Sequence, residues 1–169
     1  VPLLRGRFPN AIFTLPAVPP LQQHIAAICA DTSINIVDGD QQLATTLDNC
    51  DAVMAASGTV TLEAALYGAP GVACYKAGWL SATCGRMIVD MQKVILPNAI
   101  LRREVYPFLF QERLTAMGLA GAMTKILHDP QAHLTAYETA KQLLACLVGE
   151  AGQFDQLVID ALATWLGPV

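Results

Sequence analysis

A short polar turn between two apolar stretches is the first place where this sequence could do chemistry. Ser57, Gly58 and Thr59 lie between the apolar segment 53–56 and a stretch of helical spacing that begins at Thr61. Such a turn leaves the first N–H groups of the following helix unpaired, at the positive end of the helix dipole. The pattern therefore favours an anion site of the kind that holds phosphate. It also fits an ordinary strand-to-helix turn in which Thr59 caps the helix.

Glu63 is the second candidate, because it is the only charged residue between Asp51 and Lys76. A carboxylate in so apolar a stretch needs a partner. Pairing with Lys76 or with a backbone amide would make Glu63 structural. Pairing with two hydroxyl groups of a ribose would make it a ligand-binding residue.

Three more candidates follow later in the chain. Tyr75 and Lys76 end an apolar segment, and Lys76 is either a solvated charge or a group that neutralises a departing diphosphate. Asn98 follows the short segment 94–96, which we expect to be extended, and Gln111 follows an aromatic stretch. We expect Asn98 to face the same crevice as the turn at Ser57.

Short apolar segments alternate with segments of helical spacing along the first hundred residues. The expected strands cover residues 11–15, 34–37, 51–56 and 71–75. The expected helices cover residues 22–28, 43–47, 61–67 and 80–91, with Asp40 capping the second and Gly68 ending the third in the left-handed conformation. This alternation predicts an α/β fold with a parallel sheet and helices on both faces.

After residue 98 the pattern predicts helices and no further strand. The expected helices cover residues 113–117, 120–127, 133–147 and 154–166. Ligands of open parallel sheets bind at the carboxyl ends of the strands. The turn at residues 57–59 and the pair Tyr75-Lys76 would both lie at that edge.

Composition limits the class of protein. The chain has 169 residues, of which 54% are hydrophobic and 14% charged, and this is enough for one domain with a buried core. Its net charge of −4, with no run of basic residues, gives no support to nucleic-acid binding. No apolar run reaches the roughly 18 to 20 residues of a membrane-spanning helix.

Cysteine and histidine patterns suggest neither a metal site nor a disulfide framework. The five cysteines are odd in number and widely spaced, without a CxxC pair. We expect reduced and mostly buried thiols. The three histidines lie far from the candidate motifs, and we expect surface or capping roles for them.

Taken together, the motifs resemble the C-terminal half of the lipid-A-disaccharide synthase family. The run SGTVTLEAALYGAPGVACYK is followed by LPNAIL and then by REVYPFLFQ, in the order that is typical of this family. The resemblance covers roughly residues 51–111, and several motifs in the right order make it specific. Lys76 stands where the family often has Arg, which keeps the charge but loses bidentate geometry.

The resemblance implies a GT-B-type glycosyltransferase with two Rossmann-like domains, of which this chain would be the donor-binding one. The family transfers 2,3-diacylglucosamine from UDP onto 2,3-diacylglucosamine 1-phosphate with inversion, and no metal or other cofactor is expected. The implied partners are the UDP-sugar donor, a lipid X-type acceptor and the surface of the inner membrane, with a homodimer left open. The implied location is the cytoplasm, peripheral to the inner membrane.

The resemblance also implies roles for individual residues. Ser57, Gly58 and Thr59 would hold the diphosphate, and Glu63 the ribose hydroxyls. The remaining implied contacts are Tyr75 and Lys76 near the phosphates or sugar, Asn98 and Gln111 beside the sugar, and backbone groups near Val37 at the uracil.

The resemblance further implies a domain over residues 1–150 and a C-terminal helix over residues 151–169. We expect the chain to be a fragment whose first strand and Gly-Ser-Arg phosphate loop precede Val1, and whose catalytic base is in another domain. Such a fragment would be inactive alone. Two alternatives stay open: another UDP-sugar protein of this fold, such as an epimerase or a peptidoglycan-type transferase, and a non-catalytic α/β interaction domain.

Overall fold

The computed structural model describes residues 1–76 and 94–148. The helices expected over residues 80–91 and 154–166, and the C-terminal helix assigned to residues 151–169, fall outside the described residues.

Every described strand is parallel to its neighbour, as the alternating pattern predicts. The strands are β1 (Thr14–Ala17), β2 (Asn35–Asp38), β3 (Val53–Ala56), β4 (Gly71–Tyr75) and β5 (Phe108–Phe110). They form a two-stranded sheet, β1-β2, and a three-stranded sheet in the order β3-β4-β5. Within the described residues, no ladder joins the two sheets.

The helices connect these strands and cover them. They are α1 (Pro2–Arg5), α2 (Pro19–Cys29), α3 (Gly39–Asp48), α4 (Thr59–Leu66), α5 (Leu96–Leu101), α6 (Ala116–His128) and α7 (Ala132–Val148). Pro19 and Pro20 open α2, where a missing N–H costs nothing. Gly68 lies just beyond α4 with φ of 67°, so its predicted left-handed conformation is confirmed.

Both faces of the three-stranded sheet are buried, which explains why β4 is apolar throughout. On one face Ala73 packs with residues of α4, α5 and α7, in a cluster centred on Ile95 and Leu143. On the other face Val72 and Leu109 pack against α1 and α6. The expectation of a sheet with helices on both faces is therefore confirmed.

Close packing between β3 and β4 depends on a glycine. A Cβ atom built on Gly71 would come within 2.4 Å of both Cγ1 and the carbonyl oxygen of Val53. No real Cβ contact is that short, so any larger residue at position 71 has to push the two strands apart.

Three local expectations for the first half of the chain are wrong in detail. The first strand, expected over residues 11–15, begins at Thr14 and runs through Pro16, which is tolerated because within the described residues β1 pairs with β2 alone. The cap of α3 is Asp38, whose side chain accepts from the N–H of Asp40, so Asp40 lies inside the helix. Thr59 is likewise the first helical residue of α4 and Gly58 is its N-cap.

The expectation of no strand after residue 98 is also wrong. Residues 94–96, expected to be extended, lead directly into α5. Phe108–Phe110 instead forms β5, whose three residues are too few to show a strand pattern in the sequence. The two helices expected over residues 113–117 and 120–127 are a single helix, α6, which begins at Ala116 after a 3-10 turn over Gln111–Arg113.

The thiols are more accessible than predicted. Cys29, Cys50 and Cys74 are partly buried, Cys146 is exposed, and none of the four described cysteines forms a disulfide. Burial raises the pKa of the Cys50 and Cys74 thiols. The three histidines are exposed, as expected.

Candidate functional site

The three parallel strands bring the predicted groups to one edge of the sheet. Ala56 is in register with Cys74, and Tyr75 is in register with Phe110. The residue that follows each strand, Ser57, Lys76 or Gln111, therefore emerges at the same carboxyl edge. This is where open α/β sheets bind their ligands.

The turn after β3 has the backbone that an anion site requires. Gly58 has φ of 138° and ψ of −164°, a conformation that is essentially restricted to glycine. Among residues 1–76 and 94–148, a Cβ atom at this position would meet nothing within 4 Å, so this part of the chain leaves the space above the turn open. No side chain caps the start of α4. The N–H of Thr61 donates to the carbonyl of Gly58, which leaves the N–H groups of Thr59 and Val60 at the start of this eight-residue helix for a ligand.

Hydrogen bonds hold this turn in place from below. The N–H of Ser57 donates to the carbonyl of Cys74 at 3.0 Å, which ties the turn to β4. The hydroxyl of the fully buried Thr61 donates to the carbonyl of Gly58 at 2.7 Å. The turn is thus fixed to the sheet and to its own helix before any ligand arrives.

Glu63 lies one turn into α4 and is half-buried, while Thr61, Ala64 and Ala65 form the buried side of the helix. Neither of the structural partners considered above engages it. Within residues 1–76 and 94–148, no ion pair or hydrogen bond reaches the Glu63 carboxylate. Its half-buried carboxylate retains its acceptor capacity for a donor from outside this part of the chain.

Tyr75 and Lys76 are accessible at the same edge. Tyr75 ends β4 with 45% of its surface exposed, and Lys76 is exposed as well. Gln111 follows β5 with φ of 50°, an unusual value for a residue other than glycine. The end of β5 therefore turns sharply just where Gln111 meets this edge.

Asn98 has a structural setting that the sequence did not reveal. It is only 6% exposed and lies in the first turn of α5. Its Oδ1 accepts from the N–H groups of Val105 and Tyr106 at 3.0 and 2.9 Å, and its Nδ2 donates to the carbonyl of Tyr106 at 2.9 Å. Its contact with a sugar stays a prediction, whereas its three hydrogen bonds to the segment before β5 are present in the structure.

Tyr106 extends this network from the segment before β5 to the segment before β4, a role that the sequence did not predict. Its hydroxyl donates to the carbonyl of Ala69, just before β4. Burial raises the pKa of Tyr106 well above its ordinary value, with a smaller contribution from the nearby Cys50 thiol. The only signal in the sequence was an aromatic residue next to the proline that precedes β5, and such residues are common in cores.

Val37 lies in the other sheet, near the carboxyl end of β2 and opposite Pro16. The N–H of Asn35 donates to the carbonyl of Phe13 in the segment leading into β1. Every second residue of a strand directs its backbone groups to the same neighbour, so the N–H and C=O of Val37 also face β1. The outward backbone groups of β2 belong to Ile36 and Asp38. A uracil contact in this region stays a prediction, and the backbone groups of Ile36 and Asp38 are better placed for it than those of Val37.

A cleft of about 400 Å³ lies at the opposite edge of the sheet. It is lined mainly by the segment that leads into β1, by Asp51 before β3 and by Leu127 of α6. None of the predicted site residues lines it. In the described part of the chain, no group of three or more His, Cys, Asp or Glu side chains is arranged to hold a metal ion.

Comparison with known proteins identifies the family of this chain. The family model described as lipid-A-disaccharide synthetase matches residues 1–157 of the 169. The chain belongs to this family.

Relatives named lipid-A-disaccharide synthase support the assignment. One from Paraburkholderia phytofirmans is 37% identical over 131 residues, which are 75% of this chain and 33% of that protein. One from Burkholderia vietnamiensis is 36% identical over 145 residues, 83% of this chain and 37% of that protein. One from Geobacter metallireducens is 33% identical over 129 residues, 76% of this chain and 34% of that protein.

The chain thus spans about a third of the length of the curated relatives it matches. No solved structure matches it significantly. Among the described helices, none is both long enough and apolar enough to cross a membrane.

Proposed function

We propose that this chain is the donor-binding part of a lipid-A-disaccharide synthase. In this proposal the whole protein transfers 2,3-diacylglucosamine from UDP to 2,3-diacylglucosamine 1-phosphate. It releases UDP, and the anomeric configuration inverts. The observation that carries the proposal is the open glycine turn at residues 57–59, which shares one sheet edge with Lys76 and Gln111.

The arrangement suits the UDP part of such a donor. The N–H groups of Thr59 and Val60 bind the diphosphate, because no side chain caps the start of α4 and they lie at the positive end of the helix dipole. Lys76 adds a positive charge at the same edge, where it offsets the charge that develops on the departing diphosphate. Glu63 accepts hydrogen bonds from the ribose hydroxyls. Binding of this kind needs no metal ion or other cofactor.

The rest of the reaction belongs to parts of the protein other than this edge. No described residue here is assigned as the catalytic base, so we expect the isolated chain to bind the donor without turning it over. The acylated donor and acceptor would bring the protein to the inner membrane surface from the cytoplasmic side. Turnover of UDP-diacylglucosamine by the isolated 169-residue chain would contradict this division of labour.

Calorimetric titration of the folded chain with UDP tests the proposal. We expect a heat of binding that UDP-2,3-diacylglucosamine abolishes by competition. Binding of UDP without such competition would favour the alternative of another UDP-sugar enzyme, such as an epimerase or a peptidoglycan-type transferase. The absence of any heat with UDP would favour a non-catalytic interaction domain.

The role of Glu63 has a sharper test, because dTDP lacks the ribose 2′-hydroxyl. We expect Glu63→Ala to weaken UDP binding by about 1 to 3 kcal/mol, the usual range for hydrogen bonds to a charged group, and to weaken dTDP binding by less, because dTDP offers Glu63 the 3′-hydroxyl alone. Glu138→Ala is the matched control, since Glu138 is exposed on α7 and pairs with Lys141. Equal losses for both nucleotides would instead give Glu63 a structural role.

A further inference from the structure

Thr61 is a fully buried polar side chain one helical turn below the glycine turn. It shares the buried side of α4 with Ala64 and Ala65, and none of its surface is exposed. A hydroxyl in such a place does not reach water, and a buried hydroxyl without a hydrogen-bond partner is costly. Its partner is the carbonyl of Gly58, at 2.7 Å. The packing of α4 therefore aims this hydroxyl at the turn.

The Gly58 carbonyl accepts two hydrogen bonds from this one residue. The backbone N–H of Thr61 donates to it at 3.1 Å, in addition to the hydroxyl. A carbonyl oxygen has two lone pairs, so both of its acceptor positions are used. The peptide group between Gly58 and Thr59 is thereby held at its oxygen end.

Holding that oxygen also fixes the direction of the N–H of Thr59. A peptide group is planar and trans, so its N–H and its C=O point in opposite directions. With the oxygen turned toward Thr61, the N–H of Thr59 points into the space above the turn, which the described residues leave open. Rotation of this peptide group would present the oxygen to that space instead, and the negative end of a carbonyl dipole repels phosphate.

The glycine makes such a rotation easy, so the orientation needs support. Gly58 lacks a Cβ atom and is the residue type with the greatest conformational freedom. Its φ of 138° and ψ of −164° lie in a region that other residues rarely adopt, and no side chain caps the helix that follows. The buried hydroxyl of Thr61 supplies support of this kind from inside the fold.

We propose that Thr61 is a positioning residue for the diphosphate. Its hydroxyl keeps the peptide group between Gly58 and Thr59 in the orientation that offers an N–H, and not an oxygen, to the phosphates. This inference rests on the proposed function, because it takes the diphosphate of UDP as the ligand of the turn. Donation to the oxygen also polarises the peptide group, which makes the N–H of Thr59 a stronger donor. Thr61 acts through this backbone and does not touch the ligand.

Two substitutions at position 61 separate the hydroxyl from the rest of the side chain. Thr61→Val keeps the shape and removes the hydroxyl, whereas Thr61→Ser keeps the hydroxyl and removes a methyl group. In calorimetric titration of the full chain, we expect Thr61→Val to weaken UDP binding about three- to tenfold, the effect of one hydrogen bond, and Thr61→Ser to stay close to the parent. Because dTDP carries the same diphosphate, Thr61→Val should weaken its binding by the same factor.

Thr139→Val is the matched control for a lost buried hydroxyl. Thr139 is 3% exposed, and its hydroxyl donates to the carbonyl of Thr135 at 2.7 Å within α7. We expect this variant to lower the urea midpoint, as Thr61→Val does, and to bind UDP like the parent. The carbonyl carbon of Gly58, observed by nuclear magnetic resonance without nucleotide, should shift in Thr61→Val and keep its position in Thr139→Val. Thr61→Ala also lacks the hydroxyl and suits a helix, so it replaces Thr61→Val if that variant does not fold.

The outcomes distinguish this inference from the proposed function. A folded parent chain that binds no UDP overturns both. If the parent binds UDP, three results overturn the inference alone. These are a Thr61→Val variant that binds UDP as tightly as the parent, a Thr61→Ser variant that loses as much affinity as Thr61→Val, and a loss in Thr61→Val that is greater for UDP than for dTDP. The last result would place the effect at Glu63 and the ribose.

Discussion

Replacing Asn98 by alanine should lower the free energy of unfolding by an amount that its hydrogen bonds allow us to estimate. In Asn98→Ala, the N–H groups of Val105 and Tyr106 and the carbonyl of Tyr106 lose their side-chain partner together. Each such bond contributes about 0.5 to 1.5 kcal/mol, and a buried group left without a partner costs about 1 to 3 kcal/mol. Because Asn98 is only 6% exposed, water does not readily replace it. We therefore expect a loss of about 3 kcal/mol in the free energy of unfolding.

Urea denaturation measures this loss as a lower midpoint with an unchanged slope. Asn49→Ala is the matched control, because Asn49 is exposed and its side chain makes one hydrogen bond, from Nδ2 to the carbonyl of Thr45. We expect the control to lose less than about 1 kcal/mol. If the two variants lose the same free energy within about 0.5 kcal/mol, Asn98 does not hold the entry to β5 as described.

Three further predictions concern a glycine contact, a buried phenol and the glycine turn. Gly71→Ala should lower the urea midpoint far more than a surface substitution, because its Cβ would lie 2.4 Å from the Val53 carbonyl oxygen; a neutral effect would contradict the close contact. The raised pKa of Tyr106 makes the neutral phenol the stable form in the fold, so this contribution to stability is complete below pH 10.0, the ordinary value, and is lost as the pH rises further. Urea titrations above and below pH 10 should show a steeper decline for the parent chain than for Tyr106→Phe, and parallel curves would refute the assignment. Gly58→Ala should weaken UDP binding by about 1 to 3 kcal/mol, the scale of the backbone strain it introduces, and calorimetry measures this.

The sequence predicted most of the α/β alternation because each element carried its own local signal. β4 was predicted with its correct bounds, since its residues form one continuous apolar run between Pro70 and Lys76. The helix α2 was predicted from its opening prolines and its spacing. The edge that carries Ser57 and Tyr75 followed from the rule that places ligands at the carboxyl ends of parallel strands.

What the sequence could not predict depends on contacts between distant residues. The strand β5 is three residues long and exists because β4 offers it a partner, with the N–H of Ala73 donating to the carbonyl of Pro107. Asn98 looked like a turn residue beside a ligand, because nothing local shows that it is buried against residues 105 and 106. The break between β1 and β3 is likewise a property of strand order, which no local pattern encodes.

The position of UDP on the chain tests the central claim most directly. Backbone amide shifts in nuclear magnetic resonance spectra, recorded during a UDP titration, report which edge of the sheet the nucleotide meets. We predict the largest shifts at Gly58, Thr59 and Lys76, at the carboxyl edge, and none at Asp51 in the cleft at the opposite edge. Shifts confined to Asp51 and its surroundings, or a folded chain whose amides do not respond to UDP, would contradict the account.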